Sequence, residues 1–308
     1  MTALGSPAPL ATRRQVLRDD SLDAHLERYG FVTLRLIDAD AAALLLEEHG
    51  RLHPVPGSGF DADLNNPDRR YRRQVAEILS QALAEPIARQ TVAHEPFLWN
   101  FLCKWPHDDE QLYLHRDWMF VDERSGARSY SLWIALQDIT GHNGQLRVLP
   151  GSHRVPSGVT GTNLAPGWID HRSVIDPRLV TVPLMAGEAV VLNHATVHSS
   201  FGNHTEVRRV AVGSAIRPVG EDLVHFWSDE STAQRYRVGP EFFTTYTPAA
   251  LMDGPPAIAD VMPVDDQPVD VSPEALAQML DSVGGFGRRI STAWQRLRTS
   301  RTASGPTG

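Results

Sequence analysis

The chain has 308 residues, with 29 basic and 37 acidic side chains and a formal net charge of −8. This length fits one large domain or two ordinary ones, and the charge argues against nucleic-acid binding. A single cysteine, Cys103, excludes an intrachain disulfide framework, and no apolar run matches a signal peptide or a membrane span. We therefore expect a soluble, cytoplasmic protein that does not bind membranes.

The N-terminal third is predicted to be mainly helical. Residues 1–13 and 299–308 are small and polar, and we expect both to be disordered tails. Between them the chain begins with a capped helix that ends at Gly30, then a strand and two further helices. These elements are "DDSLDAHLERYG", "FVTLRLI", "DADAAALLLEEHG" and "PDRRYRRQVAEILSQALA".

From Phe97 onwards the chain is predicted to form short strands separated by Gly, Pro or Asn. Their number within about 120 residues favours an antiparallel sandwich or barrel over alternating βαβ units. The strands are "FLWNFLCKW", "QLYLHRDWMF", "SYSLWIALQDI", "QLRVLP", "LVTVPL", "EAVVLN", "TVHSSF" and "VRRVAVGSAI".

The C-terminal part is predicted to be irregular over the proline-rich residues 221–270 and helical after them. The helix "SPEALAQMLDSV" is interrupted by "GGFG" and followed by a basic helix, "RRISTAWQRLRTSR". We expect the basic helix to dock on the domain with a solvated face; the alternative is that it binds an acidic surface.

The segment "YLHRDWMF" carries the first candidate site. On a strand His115 and Asp117 point to the same side, among large apolar groups. A carboxylate and an imidazole are costly there unless something satisfies them. They are either a buried structural pair or the first two ligands of a metal.

A third ligand is available in "GEAVVLNHATVHSSFGN", which contains His194 and His198. Two imidazoles and one carboxylate bind non-haem Fe(II) and leave three coordination positions open. Periodicity does not choose between the two histidines. Because Asn193 and His194 resemble a turn, we favour His198 as the ligand and assign His194 to a local hydrogen bond.

The strand "VRRVAVGSAI" places Arg209 on one face with only small neighbours, Ala211, Gly213 and Ala215. Small neighbours leave a pocket that ends in a guanidinium group, which suits two-point binding of a carboxylate. The alternative is that Arg208 and Arg209 are both surface residues at the start of a strand.

Trp133 shares a face of "SYSLWIALQDI" with small and polar residues. That arrangement is typical of a cavity lining, although an ordinary core tryptophan fits as well.

Three segments, taken in order, resemble the phytanoyl-CoA dioxygenase family: "LHRDW", "SLWIALQDITGHNGQLRVLPGSHR" and "HSSFGNHTEVRRVAV". The resemblance covers Leu22 to Pro218. It implies a mainly β fold with flanking α-helices, built on a double-stranded β-helix (a jelly-roll, cupin-like barrel). We expect one oxygenase domain over residues 14–298, with N-terminal helices at about 20–95, the β-helix core at about 97–218 and a C-terminal extension at about 219–298.

The resemblance also implies the roles of individual residues. His115, Asp117 and His198 match the family's metal ligands, and Arg209 matches the arginine that binds the distal carboxylate of 2-oxoglutarate. Trp133 and Ser200 match positions that line the cosubstrate pocket. The remaining matches are Asn143 and Gly144 near the metal and Asn203 after the distal histidine, whereas Ser199 replaces a glycine and Gln145 a smaller residue.

The implied reaction uses Fe(II) with 2-oxoglutarate and O2 as cosubstrates. We expect hydroxylation of an unactivated C–H of a small polar metabolite or biosynthetic intermediate, with release of succinate and CO2. Asp117 favours hydroxylation over chlorination, whereas desaturation, epoxidation and rearrangement stay open. The rival classes are a non-catalytic cupin-like binding protein and a zinc hydrolase. A monomer or a homodimer is expected.

Substrate contacts are predicted for Lys104, on the strand before His115, and for Trp168 and Arg172. The last two lie in the long loop from Val155 to Arg178, which we expect to act as a lid. Other segments expected to determine the substrate are "VPGSGFDADLNNPD", "DERSGARS" and the chain after Pro218.

Overall fold

The computed structural model describes residues 14–109, 111–229, 232–265 and 269–283. The two predicted tails and the predicted basic helix lie outside these residues. Within the described residues the α-helices are α1 Asp20–Tyr29, α2 Ala39–Leu52, α3 Arg69–Gln90, α4 Arg172–Ile175, α5 Phe242–Thr245, α6 Pro248–Asp253 and α7 Pro273–Ser282. None of them is both long and apolar enough to cross a bilayer.

Thirteen strands occur in the same residues. They are β1 Phe31–Arg35, β2 Phe60–Ala62, β3 His94–Lys104, β4 Leu112–His115, β5 Tyr130–Ala135, β6 Leu146–Val148, β7 Val180–Val182, β8 Glu188–Asn193, β9 His198–Ser200, β10 Arg209–Pro218, β11 Leu223–Ser228, β12 Ala233–Val238 and β13 Val261–Val264.

The strands form three sheets in which the strand pairs are antiparallel. The largest has the order β1-β8-β5-β10-β3-β2, the second β4-β9-β6-β7 and the third β11-β12-β13. The prediction of a mainly β protein with flanking helices is therefore confirmed.

Local sequence signals determine where the first helix begins and ends. The Asp19 side chain accepts hydrogen bonds from the amides of Ser21 and Leu22, which satisfies two free donors at the start of α1. Gly30 ends α1 in a left-handed conformation with φ 80°, and its amide donates to the Leu26 carbonyl. The predicted end at Gly30 is confirmed.

The cavity that contains the candidate site lies between the six-stranded and four-stranded sheets. Apolar side chains such as Ala135 and Leu192 of the larger sheet pack against Val148 and Val182 of the smaller one. The outer face of the larger sheet is covered by helices including α3, whose Leu79 is fully buried. Because both faces of the larger sheet are buried, its inward-facing residues are held in fixed positions.

The prediction of a strand over "YLHRDWMF" is correct only for its first half. β4 ends at His115, and the Tyr113 side chain is 72% exposed rather than covered. Past His115 the backbone bonds to loops: the amide of Asp117 donates to the His194 carbonyl, and the amide of Met119 to the Thr160 carbonyl. Asp117 therefore lies in a loop, not on a strand.

The prediction of an irregular segment over residues 221–270 is wrong. That segment holds the three-stranded sheet together with α5 and α6. β11 and β12 pair as a hairpin over residues 223–238, a stretch without proline. The prolines that suggested irregularity come after the hairpin and around the two short helices.

Candidate metal centre

Three side chains from separate parts of the chain converge in the cavity. His115 is the last residue of β4, His198 is the first residue of β9, and these two strands pair with His115 opposite His198. Asp117 follows in the loop after β4. One ligand atom from each residue lies within 4.8 Å of the others, and His198 Nε2 is 3.8 Å from Asp117 Oδ1.

Hydrogen bonds orient all three side chains toward a common point. The Nδ1 atoms of His115 and His198 each lie 3.0 Å from the carbonyl oxygen of the residue two before, Tyr113 and Thr196. Nδ1 is then the protonated nitrogen, and the Nε2 lone pair is left for a metal. The Ser131 hydroxyl donates to Asp117 Oδ2 at 2.6 Å, which leaves Oδ1 directed at His198.

The electrostatics keep His115 and Asp117 in their metal-binding forms. Burial, and then the neighbouring His198, lower the pKa of His115 to about 4. For Asp117, burial opposes ionisation, but His198, His194, His115 and the Ser131 hydroxyl outweigh it and hold its pKa below the ordinary value. A neutral imidazole and an ionised carboxylate are what coordination requires. Two imidazoles and one carboxylate fit Fe(II).

His194, the other candidate for the third ligand, is turned away from this point. Its ring is buried, with Nδ1 2.6 Å from the Ser129 hydroxyl, and packs edge-on against Phe120. Its carbonyl accepts the Asp117 amide at 3.1 Å. The prediction of a local hydrogen bond for His194, with His198 joining the pair, agrees with this geometry.

The cavity has a volume of about 350 Å³, and Arg209, Trp133 and Ser200 line it together with the three converging residues. Arg209 is 1% exposed and its guanidinium carbon lies 5.1 Å from the centre of the Trp133 ring. Within the described chain no group accepts a hydrogen bond from its Nε or Nη1. Burial lowers the pKa of Arg209 to about 10, so it stays charged at neutral pH. A buried cation with unused donors is suited to a carboxylate.

Two of the three small neighbours predicted for Arg209 line the cavity, whereas Ala211 is buried in the apolar cluster between the sheets. Gly213 and Ala215 line the cavity on the same strand, β10, whereas Arg208 faces the opposite side and lies 5.6 Å from the Trp105 ring. A side chain at Gly144, where φ is +86°, would come within 3.1 Å of the Arg209 guanidinium. The turn at Gly144 thus packs directly on the arginine.

Lys104, a predicted substrate contact, does not line the cavity. It pairs with Arg209 across β3 and β10, and its ammonium group lies 3.6 Å from the Asp108 carboxylate. Lys104 does end the strand before β4, as expected, but its side chain is fully buried and is not among the residues that line the cavity.

The other two predicted substrate contacts are also absent from the cavity wall. Trp168 is 1% exposed in an apolar cluster, where its indole N–H donates to the Pro156 carbonyl at 3.1 Å. Arg172 forms a surface ion pair of 2.8 Å with Asp176. Tertiary packing therefore buries Trp168, whereas Arg172 is exposed to solvent.

The predicted lid does not cover the cavity. Val155, Trp168 and Ile175 pack with Leu276 and Leu280 of α7, and no residue of the loop lines the cavity. The cavity lining instead includes Phe60, Ala62, Leu64 and Asn65 and also Phe242, Phe243, Tyr246, Pro248 and Leu251. Both groups belong to segments that were predicted to determine the substrate. The individual residues of these groups, and Asn100 on β3, were not predicted as part of the site. The aromatic run "FFTTY" was the available signal.

A family model for phytanoyl-CoA dioxygenase (PhyH) matches residues 14–211. Among curated proteins, phytanoyl-CoA dioxygenase domain-containing protein 1 of Mus musculus is 29% identical over 124 residues, 36% of this chain and 40% of the relative. The Bos taurus protein of the same name is 31% identical over 142 residues, 42% of this chain and 47% of the relative. The match thus spans less than half the length of either relative.

Among solved structures, the chain is similar to the epimerase SnoN, crystallised in complex with Fe3+, alpha ketoglutarate and nogalamycin RO. The sequence identity is 26% and the TM-score is 0.50. The match covers 66% of this chain and 85% of SnoN.

Proposed function

Because the chain belongs to the phytanoyl-CoA dioxygenase family, we propose that it is an Fe(II)- and 2-oxoglutarate-dependent oxygenase with a small-molecule substrate. One observation carries the proposal: His115, Asp117 and His198 converge within 4.8 Å, and a buried cation, Arg209, lines the same cavity. A His115–Asp117 pair with only a structural role would need neither His198 beside it nor the charge of Arg209 in the same cavity.

Each group of residues has a separate task in this proposal. His115, Asp117 and His198 hold the iron, which supplies the activation of O2 coupled to decarboxylation of 2-oxoglutarate to succinate and CO2. Arg209 binds the distal carboxylate of 2-oxoglutarate. Trp133 and Ser200 line the cavity that contains the metal ligands and Arg209. The apolar walls of this cavity exclude water from the reacting atoms.

We also propose that the two larger sheets form a double-stranded β-helix within one domain over residues 14–298. The support is that sheets of six and four antiparallel strands enclose the cavity and share one apolar cluster. A monomeric or dimeric state and a location in the cytoplasm stay predictions.

The proposed outcome is hydroxylation of an unactivated C–H in a small metabolite or biosynthetic intermediate, since Asp117 occupies the carboxylate position of the site. Epimerisation is a second candidate, supported by the similarity to the epimerase SnoN. Both outcomes consume 2-oxoglutarate, so only the product distinguishes them.

The test uses the full chain with Fe(II), 2-oxoglutarate, ascorbate and a metabolite extract under anaerobic conditions, followed by O2. Ascorbate supplies the two electrons that a redox-neutral epimerisation needs in addition to those from 2-oxoglutarate. We expect succinate, together with a product 16 mass units heavier than its substrate for hydroxylation or of equal mass for epimerisation. Asp117→Ala is the matched control and should give neither. No succinate from a protein that binds Fe(II) contradicts the proposal and favours a binding protein, and hydrolysis with Zn(II) alone favours a hydrolase.

A further inference from the structure

The part of the cavity that includes the partly exposed ring of Phe60, which we call its mouth, is apolar and rich in rings. Phe242, Phe243 and Tyr246, around helix α5, line one side, and Phe60 and Leu64 line another. The α5 segment follows the part of the chain that the family model matches, residues 14–211. Its aromatic wall is therefore a property of this chain and not one inherited from the matched region. Flat apolar groups pack favourably between such walls.

The same lining carries little charge outside the metal centre. Among the described residues that line the cavity, the charged side chains other than the converging ligands are Arg116 and Arg209. The Arg116 guanidinium points away, because it donates to the carbonyls of Ser152 and Val155 and lies 4.8 Å from the Trp168 ring. With Arg209 assigned to 2-oxoglutarate, no cation is left for a phosphate or a carboxylate of the substrate.

Polar residues in this wall include Asn65, Ser214 and Asn100. Asn100 is buried with an unused acceptor. It lies on β3 opposite Gly213 and is 3% exposed. Its Nδ2 donates to the Gly213 carbonyl at 3.1 Å, which fixes the orientation of the amide, and no described protein group donates to its Oδ1. A buried acceptor without a partner costs free energy until a ligand satisfies it.

The chemistry of Asn100 assigns its free oxygen to the substrate and not to the cosubstrate, because the two carboxylates and the keto group of 2-oxoglutarate only accept hydrogen bonds. In the sheet order β5-β10-β3-β2, Asn100 on β3 is two strands from Ser131, which holds Asp117, and one strand from the Phe60 side of the mouth. Its inward neighbours on β3, Leu98 and Leu102, are apolar. A donor that reaches Oδ1 therefore belongs to a second ligand in the cavity.

We infer that the substrate of the proposed oxygenase is an uncharged molecule with a flat apolar body and one hydroxyl or N–H group that Asn100 Oδ1 accepts. This rests on the proposed function for the reaction, but the binding preference follows from the lining alone. This substrate class differs from the small polar metabolite expected from the sequence. Two exposed rings at the rim, Tyr113 at 72% and Phe60 at 38%, become covered by such a molecule.

The experiment measures binding without iron, so that it stands apart from the reaction. Equilibrium dialysis of the full chain in EDTA compares 2-naphthol, naphthalene, 2-naphthyl phosphate and L-threonine. We expect 2-naphthol to bind most tightly, the phosphate ester at least tenfold more weakly and L-threonine not measurably. Tyr113→Ser should weaken binding of both neutral ring probes by on the order of tenfold, through the lost apolar contact. Leu44→Ser, which removes a side chain 66% exposed on α2, is the control and should change nothing.

Asn100→Leu tests the acceptor separately. It should weaken the binding of 2-naphthol by about two- to tenfold, the usual effect of one neutral hydrogen bond, and leave the binding of naphthalene unchanged. Tighter binding of the phosphate ester or of L-threonine, or no binding of either ring probe, overturns the substrate class. An equal effect of Asn100→Leu on both ring probes overturns the role of Asn100. Failure of the proposed function shows instead as absence of succinate, while these affinities stay as they are.

Discussion

The main-chain carbonyl of His194 accepts a hydrogen bond of 3.1 Å from the amide of Asp117. The loop that carries the carboxylate is thereby attached to the turn before β9, the strand that begins with His198. With the imidazole of His194 engaged by Ser129, this residue supports the position of a ligand through its backbone. A side-chain substitution at His194 leaves that carbonyl in place.

Substitutions can separate the ligand role of Asp117 and His198 from the supporting role of His194. Asp117→Ala and His198→Gln should each lower the affinity for Co(II), used as a spectroscopic substitute for Fe(II), by more than about 100-fold, because each removes a ligand atom. His194→Gln should lower it by no more than about tenfold, because it removes no ligand atom and alters only the contacts of the ring with Ser129 and Phe120 and its effect on Asp117. Titration followed by the Co(II) absorption bands measures all three. Equal losses in His194→Gln and His198→Gln would contradict the assignment.

The role of Arg209 predicts a selective effect on the cosubstrate. Arg209→Ala removes the buried cation that lines the cavity and should raise the KM for 2-oxoglutarate on the order of 10- to 100-fold, the usual range for hydrogen bonds to a charged group. Co(II) affinity should stay the same, because Arg209 lies apart from the converging ligands. Arg208→Ala is the matched control: its guanidinium lies beside Trp105 on the other face of the sheet, so the KM should not change. An unchanged KM for 2-oxoglutarate in Arg209→Ala would contradict the assignment of Arg209 to the cosubstrate.

The close approach of Gly144 to Arg209 predicts a second route to the same defect. Gly144→Ala would place a methyl group 3.1 Å from the Arg209 guanidinium and 3.0 Å from Lys104 Cδ, at a φ of +86°. We expect a loss of about 1 kcal/mol of unfolding free energy from backbone strain, together with a several-fold rise in the KM for 2-oxoglutarate. Chemical denaturation and steady-state kinetics measure the two effects.

Gly59→Ala separates strain from displacement. Gly59 also has a positive φ, +67°, but a methyl group there would have no neighbour within 4 Å. We therefore expect a similar loss of stability and no change in KM. A KM that rises equally in both variants would mean that strain, and not contact with Arg209, is the cause.

Regular periodicity explains why Arg209 could be predicted from the sequence. β10 runs without a register shift from Arg209 to Ala215, so side chains two apart share a face as the pattern requires. For Asp117 the same argument correctly placed the carboxylate beside His115, but the strand that it assumed at Asp117 is absent. The strand ends at His115, and the loop, not the alternation, brings the carboxylate beside the histidine.

The residues that local patterns misplaced are those whose positions depend on distant packing. Trp168 lies in a Gly- and Pro-rich stretch that resembles a solvated lid, yet it is buried because α7, more than a hundred residues later, packs with it in one apolar cluster. The aromatic residues of α5 reach the cavity through the C-terminal extension, which no periodicity connects to β3. Such contacts follow from the tertiary fold, and one sequence alone does not contain a pattern for them.

Acid sensitivity of folding follows from the buried histidine His25. Burial, and then the charge of Arg28, lower the pKa of His25 to about 4 in the folded chain, and its Nε2 has no partner among the described protein groups. Above its ordinary pKa of 6.5, both folded and unfolded forms are neutral and its contribution to stability is complete. As the pH falls below 6.5 the unfolded chain takes up a proton and the folded chain does not, so the free energy of unfolding decreases by about 2 kcal/mol at pH 5.

His25→Phe keeps a ring against Tyr29 and Phe31 and removes the titration. Urea unfolding at pH 7, 6 and 5 should therefore show the variant gaining on the wild type as the pH falls, whereas parallel curves would mean that His25 is protonated equally in both states.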